Sequence, residues 1–159
     1  MRGVIVIIVI AAAGVIAYAI LPLVRNDHTK VSAAIIPDGA LAAVSLPENL
    51  SQNAQIGKLA FDVKCASCHG TNAAGQDGVA PPLVHIIYEP SHHGDAAFQR
   101  AVEMGVRAHH WPFGNMPVVE GITRGDIKMI TVYVRELQRA NRINSVSYTH
   151  LTLPTIYSV

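Results

Sequence analysis

The chain has 159 residues, a formal net charge of +1 and 14% charged residues. That length holds one ordinary domain plus appendages. That charge excludes a polybasic nucleic-acid binder and an acidic-tailed chain, and the only two cysteines, Cys65 and Cys68, share one cluster, which leaves none for a structural disulfide.

Arg2 is the only charge before Arg25. Residues 3–24 are about 22 uncharged, mostly aliphatic residues, about 33 Å long as a helix and enough to cross a hydrocarbon core of about 30 Å. Residues 1–24 therefore read as a single transmembrane anchor. The rival is a cleaved signal peptide, because Ala17, Tyr18 and Ala19 have the small-x-small form of a cleavage site. Against cleavage, the apolar run continues through Ile20, Leu21, Leu23 and Val24. Either reading exports the remainder of the chain, and export sets the orientation.

Residues 25–50 show no sustained period and contain two prolines and a glycine. They read as a linker whose flexible reach is on the order of 25–30 Å, although its "AAII" and "ALAAV" stretches are apolar enough to pack against the domain. A first helix is expected from an N-cap at Ser51, with Ile56, Leu59, Ala60 and Val63 at helical spacing. A Gly-, Ala- and Pro-rich loop follows from His69 to about Pro90. The stretch "HGDAAFQRAVEMGV" predicts a second helix whose inner face is either Ala97, Ala101 and Met104 or Phe98, Val102 and Gly105. The third helix is the clearest. "TRGD" at residues 123–126 fits a capping pattern, and Ile127, Ile130, Val134 and Leu137 form one apolar stripe. Arg135, Arg139 and Arg142 load its C-terminal end, which suits the helix dipole. There is no useful β alternation and no internal repeat, so the domain at residues 51–144 is expected to be all-α. Residues 145–159 lack the helical period. From Val146 onward they resemble a sequencing-library adapter translated in frame, so this tail is expected to be non-native and is set aside together with His150.

The chemistry concentrates in "KCASCHG". Cys65-Ala-Ser-Cys68-His69 is the attachment pattern of a c-type haem. Two thiols three residues apart at a helix end face one porphyrin edge and add to its two vinyl groups, and the next residue, His69, turns back to the iron. A dithiol redox motif needs no histidine there and sits in a βαβ context. A zinc site would pair the cysteines with distant histidines such as His85 and His92 or His93, which leaves Met116 unexplained.

With this motif the chain resembles the monohaem class I c-type cytochromes over roughly residues 51–143. Gly57 and Phe61 precede "CASCH" as in that family. "APPLV" resembles the segment whose proline carbonyl accepts a hydrogen bond from the proximal histidine, which implies Pro81 as acceptor and Leu83 against the haem. "NMP" resembles the methionine-ligand loop. "ITVYVREL" resembles the terminal helix, which implies that Ile130 and Tyr133 meet Gly57 and Phe61. The resemblance implies an all-α, cytochrome c-like domain around one haem c held by two thioethers. The early position of "CASCH" argues against the four-helix cytochrome c-prime type. The stretches "VHIIYEPSHHGD" and "RAHHW" depart from the family pattern.

For the second axial position, Met116 is the leading candidate. Gly114 and Asn115 permit tight or left-handed backbone, and Pro117 pushes Met116 toward an extended conformation. The plainer reading of Met116 is a gap-filling core residue. Met104 and Met129 lie in helical patterns, where core packing is the default. His109 or His110 as ligand gives a bis-histidine haem, but adjacent side chains diverge, so at most one points at iron. Trp111 is either a donor to a haem propionate or an ordinary core aromatic. His92 and His93 read as exposed polar residues. The sharper alternative gathers His85, His92, His93, His109 and His110 into a copper or other transition-metal site.

The expected function is one-electron transfer by a His69/Met116-ligated haem on the periplasmic face of a bacterial inner membrane. The expected partners are a redox donor and acceptor among membrane respiratory complexes and the lipid bilayer through the N-terminal helix, with no nucleic acid. No catalytic residue is expected, and the chain is a carrier or a cytochrome subunit of an oxidoreductase. The alternative is a haem enzyme or sensor with an open or His-ligated distal site.

Overall fold

The computed structural model describes residues 38–145. The expected N-terminal anchor and the tail from residue 146 lie outside the described residues. Among the described residues no helix is long and apolar enough to cross a membrane.

These residues form four α-helices and no strand: α1 (Gln52–Lys64), α2 (Ala66–His69), α3 (Asp95–Met104) and α4 (Arg124–Ala140). Single 3-10 turns lie at Thr71–Ala73 and Ile86–Tyr88. The all-α expectation holds over this region.

The helix starts follow the sequence signals. Ser51 Oγ accepts from the Ala54 N–H at 3.2 Å and caps α1. Thr123 and Asp126 form a reciprocal capping box at α4, which satisfies N–H groups that the helix itself leaves unpaired. The α4 stripe of Ile127, Ile130, Val134 and Leu137 is buried as expected.

The inner face of α1 is different from the one its periodicity suggested. Ile56, Leu59 and Val63 are 47%, 70% and 78% exposed, whereas Ala54, Gly57 and Phe61 are buried. The reason is the close crossing of α1 and α4. A Cβ on Gly57 would overlap the Met129 carbonyl and lie 2.9 Å from the Ile130 nitrogen. Only a face of small residues admits another backbone at that distance, so the small residues turn inward and the aliphatic ones outward. One turn further on, the Phe61 and Tyr133 rings meet at 5.6 Å between centroids. Burial, reinforced by the Asp62 charge, pushes the Tyr133 phenol well above its ordinary range. Its neutral hydroxyl donates to Asn72 Oδ1 at 3.2 Å.

On α3, Val102 is buried and Phe98 packs on the core, while Met104 is 74% exposed. The face of Phe98, Val102 and Gly105 is therefore the inner one. Val44, from the "ALAAV" stretch, sits in the main core with Phe61, Tyr133 and Leu137. The Leu41 and Ala42 N–H groups both donate to the Ala74 carbonyl.

Gly57→Ala is expected to destabilise the haem-loaded protein by about 1–3 kcal/mol, the usual cost of overpacking, or to prevent its accumulation. Denaturant midpoints at constant m-value measure this; a wild-type midpoint would mean that the helix crossing tolerates a methyl group.

Candidate functional site

The end of α1 delivers the Cys-His cluster. Cys65 closes α1 with its N–H on the Phe61 carbonyl at 2.8 Å. The single turn of α2 then carries Cys68 and His69. The next segment folds back so that His69 Nδ1 lies 2.9 Å from the Pro81 carbonyl oxygen. A carbonyl only accepts, so Nδ1 carries the proton and Nε2 keeps its lone pair. Burial holds the His69 imidazole below its ordinary pKa, partly offset by the Pro81 carbonyl.

The far side of the sequence is shaped by a short loop. Gly105 ends α3 with φ 73°, and a Cβ there would lie 2.7 Å from the Met116 carbonyl oxygen. Val106 and Met116 exchange both backbone hydrogen bonds at 2.9 Å. Asn115 Oδ1 accepts from the Ala108 N–H at 2.9 Å. The Met116 backbone is thus held at both polar groups, and its side chain is half-buried.

These segments enclose a cavity of about 580 Å³, within the range of cofactor-sized sites, roughly 300–1,000 Å³. Cys65, Cys68, His69 and Met116 line it, as do Pro81, Leu83 and Trp111. Every residue singled out for the cofactor is therefore gathered around one space. Met104 also lines it while remaining mostly exposed, and so do His109 and His110.

The rival readings of the cysteines lose support. Burial, and then the neighbouring Cys68, push the Cys65 thiol up to about 11, whereas a redox dithiol needs a depressed value. Among the described residues, the group with ligand atoms gathered for a metal is His92, His93 and His110, without either cysteine.

Trp111 supplies a direct test of fit. Its indole Nε1 is buried and has no hydrogen-bond partner in the protein. It lies near the Tyr88 phenol, whose pKa burial raises and the indole moderates, but not in hydrogen-bond geometry. A buried, unpaired N–H costs about 1–3 kcal/mol, so an orphaned donor on a residue that lines this cavity suits an acceptor such as a haem carboxylate.

One part of the site was not readable in advance. Arg135, read from the sequence only as one of three arginines loading the C-terminal end of α4, is 6% exposed. Its guanidinium donates to the Tyr88 carbonyl at 2.7 Å, the His93 carbonyl, Gln138 Oε1 at 2.7 Å and Asp95 Oδ1 at 2.9 Å. It also lies over the Phe98 ring at 5.0 Å. Gln138, fully buried, donates to the Leu83 and Tyr88 carbonyls at 2.9 and 3.0 Å. Two α4 side chains thereby anchor residues 83–93. Arg139 lies in the last turn of α4, as its reading at the C-terminal end requires, and sits 3.8 Å from Glu136.

That segment meets the loop at 106–116 through histidines. His85 packs edge-on against Trp111 at 5.1 Å. His92, His93, His109 and His110 form a contiguous group of rings. His110 is held below the ordinary imidazole pKa by partial desolvation, then by repulsion from His109, His93 and His92.

A helical domain folded around a cavity lined by a Cys-x-x-Cys-His cluster and a loop methionine defines a small haem-binding electron-transfer protein. Residues 54–138 match the family model for cytochrome c, and the chain belongs to that family. The family binds haem c covalently, with a single haem typical of this domain, and its chemistry is haem-based electron transfer. No curated protein and no solved structure matches the chain.

Arg135→Met removes the donors to the Tyr88 and His93 carbonyls. It is expected to cost about 1–3 kcal/mol and to lower the denaturant midpoint of the haem-loaded protein. An unchanged midpoint would show that the segment is held by other contacts.

Proposed function

We propose that this protein is a membrane-anchored one-electron carrier in which Cys65 and Cys68 hold the haem through thioethers and His69 and Met116 are the axial ligands. The observation that carries this reading is the His69–Pro81 hydrogen bond. It fixes the tautomer and leaves Nε2 as the ligand nitrogen, the arrangement that orients a metal-bound imidazole. Haem supplies the Fe(III)/Fe(II) couple. The protein's residues supply burial, orientation and ligand choice. Pro81 and Leu83 line the proximal side of this reading, and Trp111 offers its unpaired N–H to a haem carboxylate.

Met116 is favoured over the neighbouring histidines by its surroundings. It is half-buried with its backbone pinned, whereas His109 and His110 are exposed and belong to a separate group of rings. Thioether ligation raises the reduction potential relative to a bis-histidine haem, and a six-coordinate iron leaves no position for O₂ or peroxide. That supports a carrier rather than an enzyme. The apolar run at residues 3–24 supports a single-pass anchor in a bacterial inner membrane with the haem domain in the periplasm. Tethering would concentrate the domain near a donor and an acceptor among respiratory complexes.

Met116→Ala is expected to abolish the methionine-to-ferric-iron charge-transfer band and to make the ferrous protein bind CO rapidly. An unchanged spectrum would assign the sixth position to another residue.

The full chain expressed with haem maturation is expected in the alkali-resistant membrane fraction. A chain whose residues 1–24 are replaced by a cleavable export signal is expected as a soluble periplasmic haem protein. Recovery of the full chain in the soluble fraction would exclude the anchor.

A further inference from the structure

We infer that His92, His93 and His110 form a binding site for one divalent transition-metal ion of the class that prefers imidazole nitrogen, at the edge of the haem cavity. The three side chains bring ligand nitrogens within 4.8 Å of one another. His92 and His93 come from the turn before α3 and His110 from the loop after it, so the site joins two segments on either side of that helix.

The geometry is that of an organised site rather than of loose surface rings. His93 Nδ1 lies 2.6 Å from the Ile87 carbonyl oxygen. The carbonyl must accept, so the proton sits on Nδ1 and Nε2 is free to ligate, with its ring orientation set by an outer partner. The backbone beneath it is also held. The His92 and His93 N–H groups both donate to the Glu89 carbonyl at 3.1 and 2.8 Å, and the His93 carbonyl accepts from Arg135. The Tyr88 ring packs on His93 at 5.1 Å. His93 is thus the fixed ligand, and the exposed His92 and His110 are the ones free to adjust.

The adjustment required is small. Nitrogens on a tetrahedral ion, bonded at about 2.0–2.1 Å, stand about 3.3 Å apart, a closure that rotation of two exposed side chains supplies. Neutral imidazoles suit Zn2+, Cu2+ and Ni2+ and do not suit Mg2+ or Ca2+. His109 flanks the site, its ring 4.2 Å from that of His110 and its Nδ1 2.8 Å from the Arg107 carbonyl oxygen. His93 and His110 also line the haem cavity. An ion here would tie the loop that carries Met116 to the segment anchored by Arg135; the site rests on the reading in which Met116, and not His110, is the second haem ligand.

The test is calorimetric titration of the oxidised, haem-loaded full chain with Zn2+, chosen because it takes no part in redox chemistry. The expected result is about one ion per chain, with affinity lowered at least about tenfold in each of His92→Ala, His93→Ala and His110→Ala. The His28→Ala/His150→Ala variant, which removes the histidines outside the described residues, is expected to bind as wild type. Retention of the haem spectrum in each variant certifies folding, and His92→Ala and His110→Ala alter only exposed rings. Absence of stoichiometric binding, binding unaffected by the three substitutions, or loss of binding in the His28/His150 variant would each overturn the inference.

Discussion

The close crossing of α1 and α4 is the constraint on which the rest of the domain depends. Gly57 lets the α1 backbone lie against the Met129 carbonyl, and the tilted rings of Phe61 and Tyr133 fill the space one turn on. This crossing sets where α1 ends, and its end carries Cys65, Cys68 and His69. It also sets which face of α4 points back across the domain. Both walls of the haem cavity are therefore referenced to one contact between backbones, and a close-packed contact of this kind transmits small displacements rather than absorbing them.

From α4 the order passes to loops that have little regular structure of their own. Arg135 and Gln138 replace the hydrogen bonds that a strand or helix would have given to residues 83–93. A buried guanidinium is costly unless fully engaged, and here each of its nitrogens has an acceptor while its face lies on Phe98. The methionine loop is closed differently, by the Val106–Met116 bridge and the Asn115–Ala108 hydrogen bond. One loop is held from a distant helix and the other by its own ends. The histidine group lies where the two meet, at the rim of the cavity.

Much of this was legible in the sequence because it rests on local rules. Ser51 and the Thr123/Asp126 box mark helix starts through hydrogen bonds spanning only a few residues. The α4 stripe follows from helical periodicity on a strongly amphipathic segment. The Cys65–His69 spacing is itself a statement of covalent geometry. Periodicity alone points to the wrong α1 face because it weighs hydrophobicity without the partner, whereas the resemblance already implied that Gly57 and Phe61 meet Ile130 and Tyr133. A helix that must touch another backbone buries its smallest residues, and periodicity of Ile, Leu and Val does not report that. The partners of Arg135 escaped the sequence for a related reason. Its position suggested interaction with the helix dipole, while its carbonyl partners lie more than forty residues away in sequence.

The sequence by itself determined the all-α class, the starts of α1 and α4, and the cofactor, because capping, periodicity and the Cys-x-x-Cys-His pattern act over a few residues. Only the tertiary structure decided that α1 buries a face its periodicity did not suggest, which of two faces α3 buries, what anchors residues 83–93, and which of the histidines converge. Those outcomes depend on distances between segments remote along the chain. The folded backbone sets such distances through contacts like that of Gly57 with Met129, and no local pattern encodes them.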